Sequence, residues 1–332
     1  MRLRTSCGKL TPLRQLPLVL SVLTLAALPR AAGASNLAAA ALASPRPAEC
    51  LPSAPRGSAE RLWDRARTPG LAAYCSALAR GYARLRRTPE AALEAAQAAN
   101  RALPNRAAPR VLEARALVAL GRHAEAWERF GGVDARARRE LEVPAALHDY
   151  AVAATVTGHG AEALRAYRSL VPRAGLLDDA RRVRVLIEAS VVTMASGPAA
   201  LDEAIGYLNE ARRRSQQPGL EPLVLGALAL ALDRQGHPQQ ARGLIAEVTA
   251  PEGLFDDQSA TPPAKGPPRD GVPVLLSGER QALAAILLER LSPDEAKQRW
   301  SAFIAGAGAR GPWADHARKK LQLLEGSRAR SK

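Results

Sequence analysis

Leu120-Gly121-Arg122-His123-Ala124-Glu125-Ala126, with Phe130 four residues further on, decides the fold because it recurs. Thr157-Gly158-His159-Gly160-Ala161-Glu162-Ala163 is followed by Tyr167, and Gln235-Gly236-His237-Pro238-Gln239-Gln240-Ala241 by Ile245. In each copy an Ala follows the Gly by five residues and a large apolar residue follows that Ala by four. Seven residues before each Gly stands another Ala: Ala114, Ala151 and Ala229. The first two glycines are 37 residues apart and the third lies 78 further on, which leaves room for one copy between. That copy is Ala189, Gly197, Ala204, Leu208 and Ala211, with three extra residues around Gly197-Pro198-Ala199-Ala200. An earlier one runs Leu78-Ala79-Tyr82, then Ala91, Ala95 and Ala98; a last one has Ala284, Ala296, Trp300 and Phe303.

The spacing has a physical reading. Gly ends the first helix of a pair because it tolerates the left-handed conformation that satisfies the last carbonyls. The two alanines mark where the paired helices approach closest, and the bulky residue fills the space against the next pair. One pair cannot bury its apolar stripe alone, so copies must stack. Composition agrees: the chain is 47% hydrophobic but only 4% aromatic, with Ala and Leu dominant. That palette favours helices over strands. The expected class is all-α.

At these residues the chain resembles the tetratricopeptide repeat (TPR) family, whose repeat is about 34 residues with small residues at the same offsets. The resemblance covers roughly 75–250 and, less closely, 278–325. It implies a right-handed superhelical solenoid of antiparallel helix pairs whose concave groove holds a protein partner. The period of 37–39 residues is longer, and the aromatic early in the first helix is mostly absent.

The first 34 residues follow the plan of a secretory signal. Basic residues precede the apolar run Leu16–Leu28, and Ala32-x-Ala34 ends it, so cleavage falls before Ser35. At 13 residues the run is shorter than the ~20 that cross a bilayer. An uncleaved anchor helix is the alternative. Export to the periplasm or outside the cell follows, with a soluble product. Cleavage leaves Cys50 and Cys75, and an even pair in an oxidising compartment predicts one disulfide between them. The alternative is a small buried Cys75 and a free Cys50 thiol.

Residues 35–58, rich in Ala, Pro and Ser, read as a flexible linker. Residues 59–250 form the solenoid. Residues 251–277, with Pro262-Pro263 and Pro267-Pro268, cannot be helical and read as a mobile loop or an extended strap laid against it. Residues 278–325 hold the last hairpin and a closing helix that begins at Gly311-Pro312-Trp313 and runs to Leu324. Its Arg318, Lys319 and Lys320 are placed to cap the open end of the stack. Residues 326–332 are a charged tail.

The formal charge of +15 invites nucleic-acid binding. Residues 1–34 carry five basic and no acidic side chains, however, so their removal leaves +10, and nearly all the rest is Arg interleaved with Glu and Asp. That pattern lacks a phosphate-binding patch, although it favours anionic partners within about a Debye length.

No phosphate loop, nucleophile elbow or His-Glu-x-x-His run occurs, and no cofactor or metal is implied. His123, His159 and His237 follow the repeat glycines and read as solvated turn residues about one repeat apart, too distant to share a metal. Asp178-Asp179 and Asp256-Asp257 read as helix-start or loop carboxylates. Arg136/Arg138/Arg139, Arg181/Arg182/Arg184 and Arg212/Arg213/Arg214 read as solvated faces suited to an anionic partner.

The first helix of each pair should line the groove through Arg80, Arg84, Arg115, Val118, His148, Val152, Thr155, Ser190, Thr193 and Leu230. Each of these alternatively packs only against neighbouring helices. Family members that grip a C-terminal carboxylate use Asn and Lys at such positions; no Asn falls on them here, so that mode is rejected. An acidic or apolar helix or extended segment fits better. The expected function is a non-enzymatic envelope scaffold. The alternative is a helical domain that binds an anionic cell-wall or lipid polysaccharide through its arginines.

Overall fold

A computed structural model of the chain describes residues 47, 50, 68–131, 141, 143–214, 220–248, 273–306 and 311–330. The expected signal, and all of the linker but Pro47 and Cys50, lie outside the described residues, as do Asp256-Asp257 and Arg136/Arg138/Arg139. The described residues form thirteen α-helices and no strand. They are α1 Leu71–Arg84, α2 Pro89–Ala102, α3 Ala107–Ala119, α4 His123–Gly131, α5 Pro144–Val156, α6 Gly160–Leu170, α7 Asp179–Ala195, α8 Leu201–Arg214, α9 Glu221–Arg234, α10 Pro238–Glu247, α11 Ser277–Leu288, α12 Pro293–Ala305 and α13 Ala314–Arg330. Among them, none is long and apolar enough to cross a membrane.

Each odd-numbered helix up to α11 packs on the even-numbered helix that follows it, and α3 packs as extensively on α2 before it. Contacts of α1 with α3, α3 with α5, α7 with α9 and α9 with α11 bring the first helices together into a layer. The repeat glycines do what their spacing requires. Gly121, Gly158 and Gly236 have φ of 73°, 81° and 91°. The amide after each reaches back to a carbonyl five residues earlier: Arg122 N to Leu117 O, His159 N to Ala154 O and His237 N to Leu232 O, at 2.8–2.9 Å. The recurring alanines Ala114, Ala151, Ala189 and Ala229 are fully buried, and so are Ala126, Ala163, Ala204 and Ala296. The extra residues of the fourth copy form a 3₁₀ turn, Pro198–Ala200.

The first copy has a different register from the one expected. Leu78 and Ala95 are buried as expected, but Ala79 is exposed and Ala91 and Ala98 only half-buried, whereas Ala92, Ala96 and Ala99 are buried. The close approach belongs to Gly81, where an added Cβ would lie 2.5 Å from Leu112 Cδ2 and 3.3 Å from Ala95 Cβ. The turn Leu85–Thr88 is built without glycine, so the marker that sets register elsewhere is missing.

Two further expectations are corrected at the C-terminal end. Helix α13 continues past Leu324 to Arg330, since Gly326 alone does not stop it. Rather than capping an open end, α13 crosses the C-terminal ends of the inner helices. Trp313 Nε1 donates to Met194 O at the end of α7 (2.8 Å), His316 and Lys320 each approach Asp233 Oδ2 to 2.9 Å at the end of α9, and Lys320 reaches Glu289 after α11 (3.0 Å). Cationic groups gather there because helix C-termini carry partial negative charge. Lys320 is therefore half-buried in ion pairs, while Arg318 bonds Asp315 of its own helix.

Candidate functional site

The first helices are apolar on most faces, unlike a helix with one stripe toward the core. Along α9, Leu223 to Ala231 is buried without a break, and along α7 so is Val185 to Met194. This decides the fate of the expected groove. Arg80 and Arg84 are exposed, and Arg80 donates to Ser76 Oγ one turn back (2.7 Å). The other eight residues, Arg115, Val118, His148, Val152, Thr155, Ser190, Thr193 and Leu230, are all buried and line no open surface. Hydroxyls of Thr155 and Ser190 donate to Ala151 O and Ile187 O of their own helices. Among the described residues the Thr193 hydroxyl has no hydrogen-bond partner. Leu230 belongs to the large core shared by α7 through α13.

Within this buried layer sits a polar centre that the sequence pattern did not single out. Glu188 of α7 is completely buried, and its two carboxylate oxygens take four donors. His148 Nε2 of α5 lies 2.6 Å from Oε2, and the Tyr167 hydroxyl of α6 donates to the same oxygen (3.2 Å). Arg184 Nε, one turn back on α7, and the main-chain N of Val274 donate to Oε1, each at 2.8 Å. Burial by itself would push the Glu188 carboxyl up, but His148, Arg184 and the Val274 N–H outweigh it and hold it down to about 2. Burial and the nearby Glu188 charge push the Tyr167 phenol well up, so it remains a donor. The available signal was Arg184 and Glu188 four residues apart inside an otherwise apolar run.

Val274 belongs to a short extended segment, Pro273 to Leu276, that lies across the inner helices. Pro273 and Leu275 are buried; Val274 and Leu276 are half-buried. Val274 packs against the cluster that contains Val118, Phe130 and Val152; Leu275 enters the large core and Leu276 joins the cluster around Tyr167. Of residues 251–277, those before Pro273 lie outside the described residues, and Ser277 already belongs to α11.

Beside this centre, Arg115 Nε lies 2.6 Å from Asp149 Oδ2, with its guanidinium over the Tyr82 ring at 5.9 Å. Arg181 and Arg182 are half-buried and engaged, Arg182 with the carbonyls of Ala174 and Gly175. With Arg184 they form no solvated face. Arg212, Arg213 and Arg214 are exposed, as expected. Asp178 caps α7 by accepting from Arg181 N (2.9 Å). His237 is exposed, but His123 and His159 are half-buried: burial first, and Arg184 second, push His123 down, while His159 stacks on Trp127 at 4.2 Å. Among the described residues no three metal-binding side chains cluster. Cys50 and Cys75 are joined by a disulfide, Cα–Cα 5.5 Å, which ties the segment before α1 onto that helix.

Compared with protein-family models, with curated proteins and with solved structures, the chain matches none.

Proposed function

We propose that this chain is an exported, non-enzymatic scaffold of the TPR type, a right-handed solenoid of helix pairs that holds a protein partner. One observation carries the reading: an extended segment lies across the inner helices, with its main-chain N–H accepted by the buried Glu188 carboxylate and Val274 packed beside Val118 and Val152. A face that seats an extended peptide in this way has the chemistry of peptide recognition. The hairpin glycines and buried alanines support the repeat type, and the signal-like N-terminus together with the Cys50–Cys75 bridge supports export. Glu188 is fully buried and bonded to four groups of the chain itself, which supports a structural role for it.

Capture from the bacterial envelope fraction tests the reading, with the intact chain compared with Arg80→Glu/Arg84→Glu. These two arginines are the expected groove residues that remain exposed, so the exchange alters the surface and leaves the core alone. A protein retained by the intact chain and lost from the variant supports the proposal. Retention of an anionic polysaccharide instead, released as salt rises, favours the alternative reading.

A further inference from the structure

We infer that Pro273 to Leu276 is a resident competitor: it occupies the seat of the partner, and the partner is a protein presenting an extended apolar segment of the same kind. The inference rests on the scaffold reading and adds to it the chemistry of the ligand and the means by which the site is kept closed.

The argument begins with what holds the segment. It belongs to no helix or strand, although Leu276 O accepts from Arg280 N at the start of α11 (2.9 Å) and Leu275 is buried in the large core. Its anchor is the bond from Val274 N to Glu188 Oε1 at 2.8 Å. A carboxylate accepting a main-chain N–H reads any non-proline residue, because the amide is common to all of them. Selectivity comes from the flanks. Val274 packs on a cluster built from Val118, Phe130 and Val152, which fits a branched aliphatic side chain, and Leu276 packs on the cluster around Tyr167.

The seat itself does not depend on its occupant for charge balance. Glu188 keeps His148, Arg184 and Tyr167 when Val274 leaves, so three of its four donors remain. A site that stays satisfied when empty can exchange one extended chain for another. Val274 and Leu276 are half-buried, so an incoming chain has an edge from which to begin. On its C-terminal side the segment runs directly into α11, which begins at Ser277.

Two measurements test this on the full mature chain. In the first, a fluorescent peptide with the sequence Asp270–Ser277 is titrated into the intact protein and into Val274→Asp, which places a carboxylate against Glu188 and the apolar cluster. Saturable binding to Val274→Asp, at least about tenfold tighter than to the intact chain, is expected, since a resident segment taxes the intact site by the fraction of time it is open. Equal binding to both places the peptide elsewhere and overturns the inference. Absence of binding to a Val274→Asp protein that keeps its helical circular dichroism also overturns it, because the segment is then a fixed part of the core. The second measurement needs no variant. Hydrogen exchange of the Val274 amide should be at least about a hundredfold faster than that of Ile187 in α7, through local opening. Exchange of both at one common rate means that the segment leaves only on global unfolding, and the inference falls. A partner captured from the envelope with no sign of opening would preserve the scaffold reading and defeat this one alone.

Discussion

Arg234 Nη1 lies 2.6 Å from Glu279 Oε2, and both side chains are buried. The guanidinium also sits over Trp313 at 4.7 Å and Phe303 at 5.8 Å. One ion pair therefore joins α9 to α11 beneath the closing helix. Removing a single partner strands a buried charge, so Glu279→Ala should cost about 3–5 kcal/mol in urea unfolding. The double change Arg234→Met/Glu279→Leu should cost clearly less than Glu279→Ala, because it strands nothing. A double variant as damaged as the single one would show that the pair contributes net stability of its own.

Glu188 predicts an acid limb in the stability profile. Its carboxyl is held down to about 2, below the ordinary 4.5. A depressed folded-state value means that the folded form binds the proton less readily than the unfolded form. The stabilisation is thus complete above pH 4.5 and is lost as pH falls toward 2, amounting to about 3 kcal/mol. Urea unfolding from pH 6 to pH 2.5 should show this slope in the intact chain, and Glu188→Gln should flatten it while lowering stability at pH 6. An unchanged slope in the variant would assign the acid limb to other carboxylates.

What the sequence disclosed, and what it concealed, divides by the distance over which the cause acts. A glycine that must adopt positive φ and an alanine that must sit between two touching helices are local demands, so Gly121, Gly158 and Gly236 and their alanines were legible. The register of α1 and α2 was not, because alanine stands at 91, 92, 95, 96, 98 and 99 and the turn has no glycine to choose among them. The state of the groove was hidden for a different reason. Whether Val118 and Val152 face water depends on a segment more than 100 residues further along the chain. Glu188 resembled any charged residue of a helix until His148, Tyr167 and Val274, each from another element, were brought to it.

The disulfide makes a separable prediction. Cys50 and Cys75 are 25 residues apart, and closing a loop of that size removes unfolded-state entropy worth about 3 kcal/mol. Reduction, or Cys50→Ser/Cys75→Ser, should weaken the N-terminal pair first. Hydrogen exchange in α1 and α2 should rise while α9 and α11 stay protected, since Cys75 packs with the cluster of Tyr74, Leu78 and Leu112 and not with the larger core. Uniform loss of protection along the chain would mean that the bridge supports the whole stack.

Three alanine substitutions separate the jobs that glycine does here. Gly206 is exposed within α8, with open space where a Cβ would go. Gly206→Ala should therefore raise stability by about 0.5–1 kcal/mol, through helix propensity alone. Gly158 also has room, but its φ of 81° is unfavourable for a residue with a Cβ, so Gly158→Ala should cost about 1–2 kcal/mol. Gly81 is helical and crowded: the new methyl would meet Leu112 Cδ2 at 2.5 Å and Ala95 Cβ at 3.3 Å. Leu112 can turn aside but Ala95 cannot, so Gly81→Ala should cost about 1–3 kcal/mol by overpacking. Leu112→Ala added to Gly81→Ala distinguishes the two kinds of loss. The smaller side chain relieves the clash at Gly81, so the pair should cost less than the sum of the single changes, whereas Leu112→Ala added to Gly158→Ala should be additive. Additivity at Gly81 would place the first two hairpins further apart than the register Gly81, Ala92 and Ala96 requires.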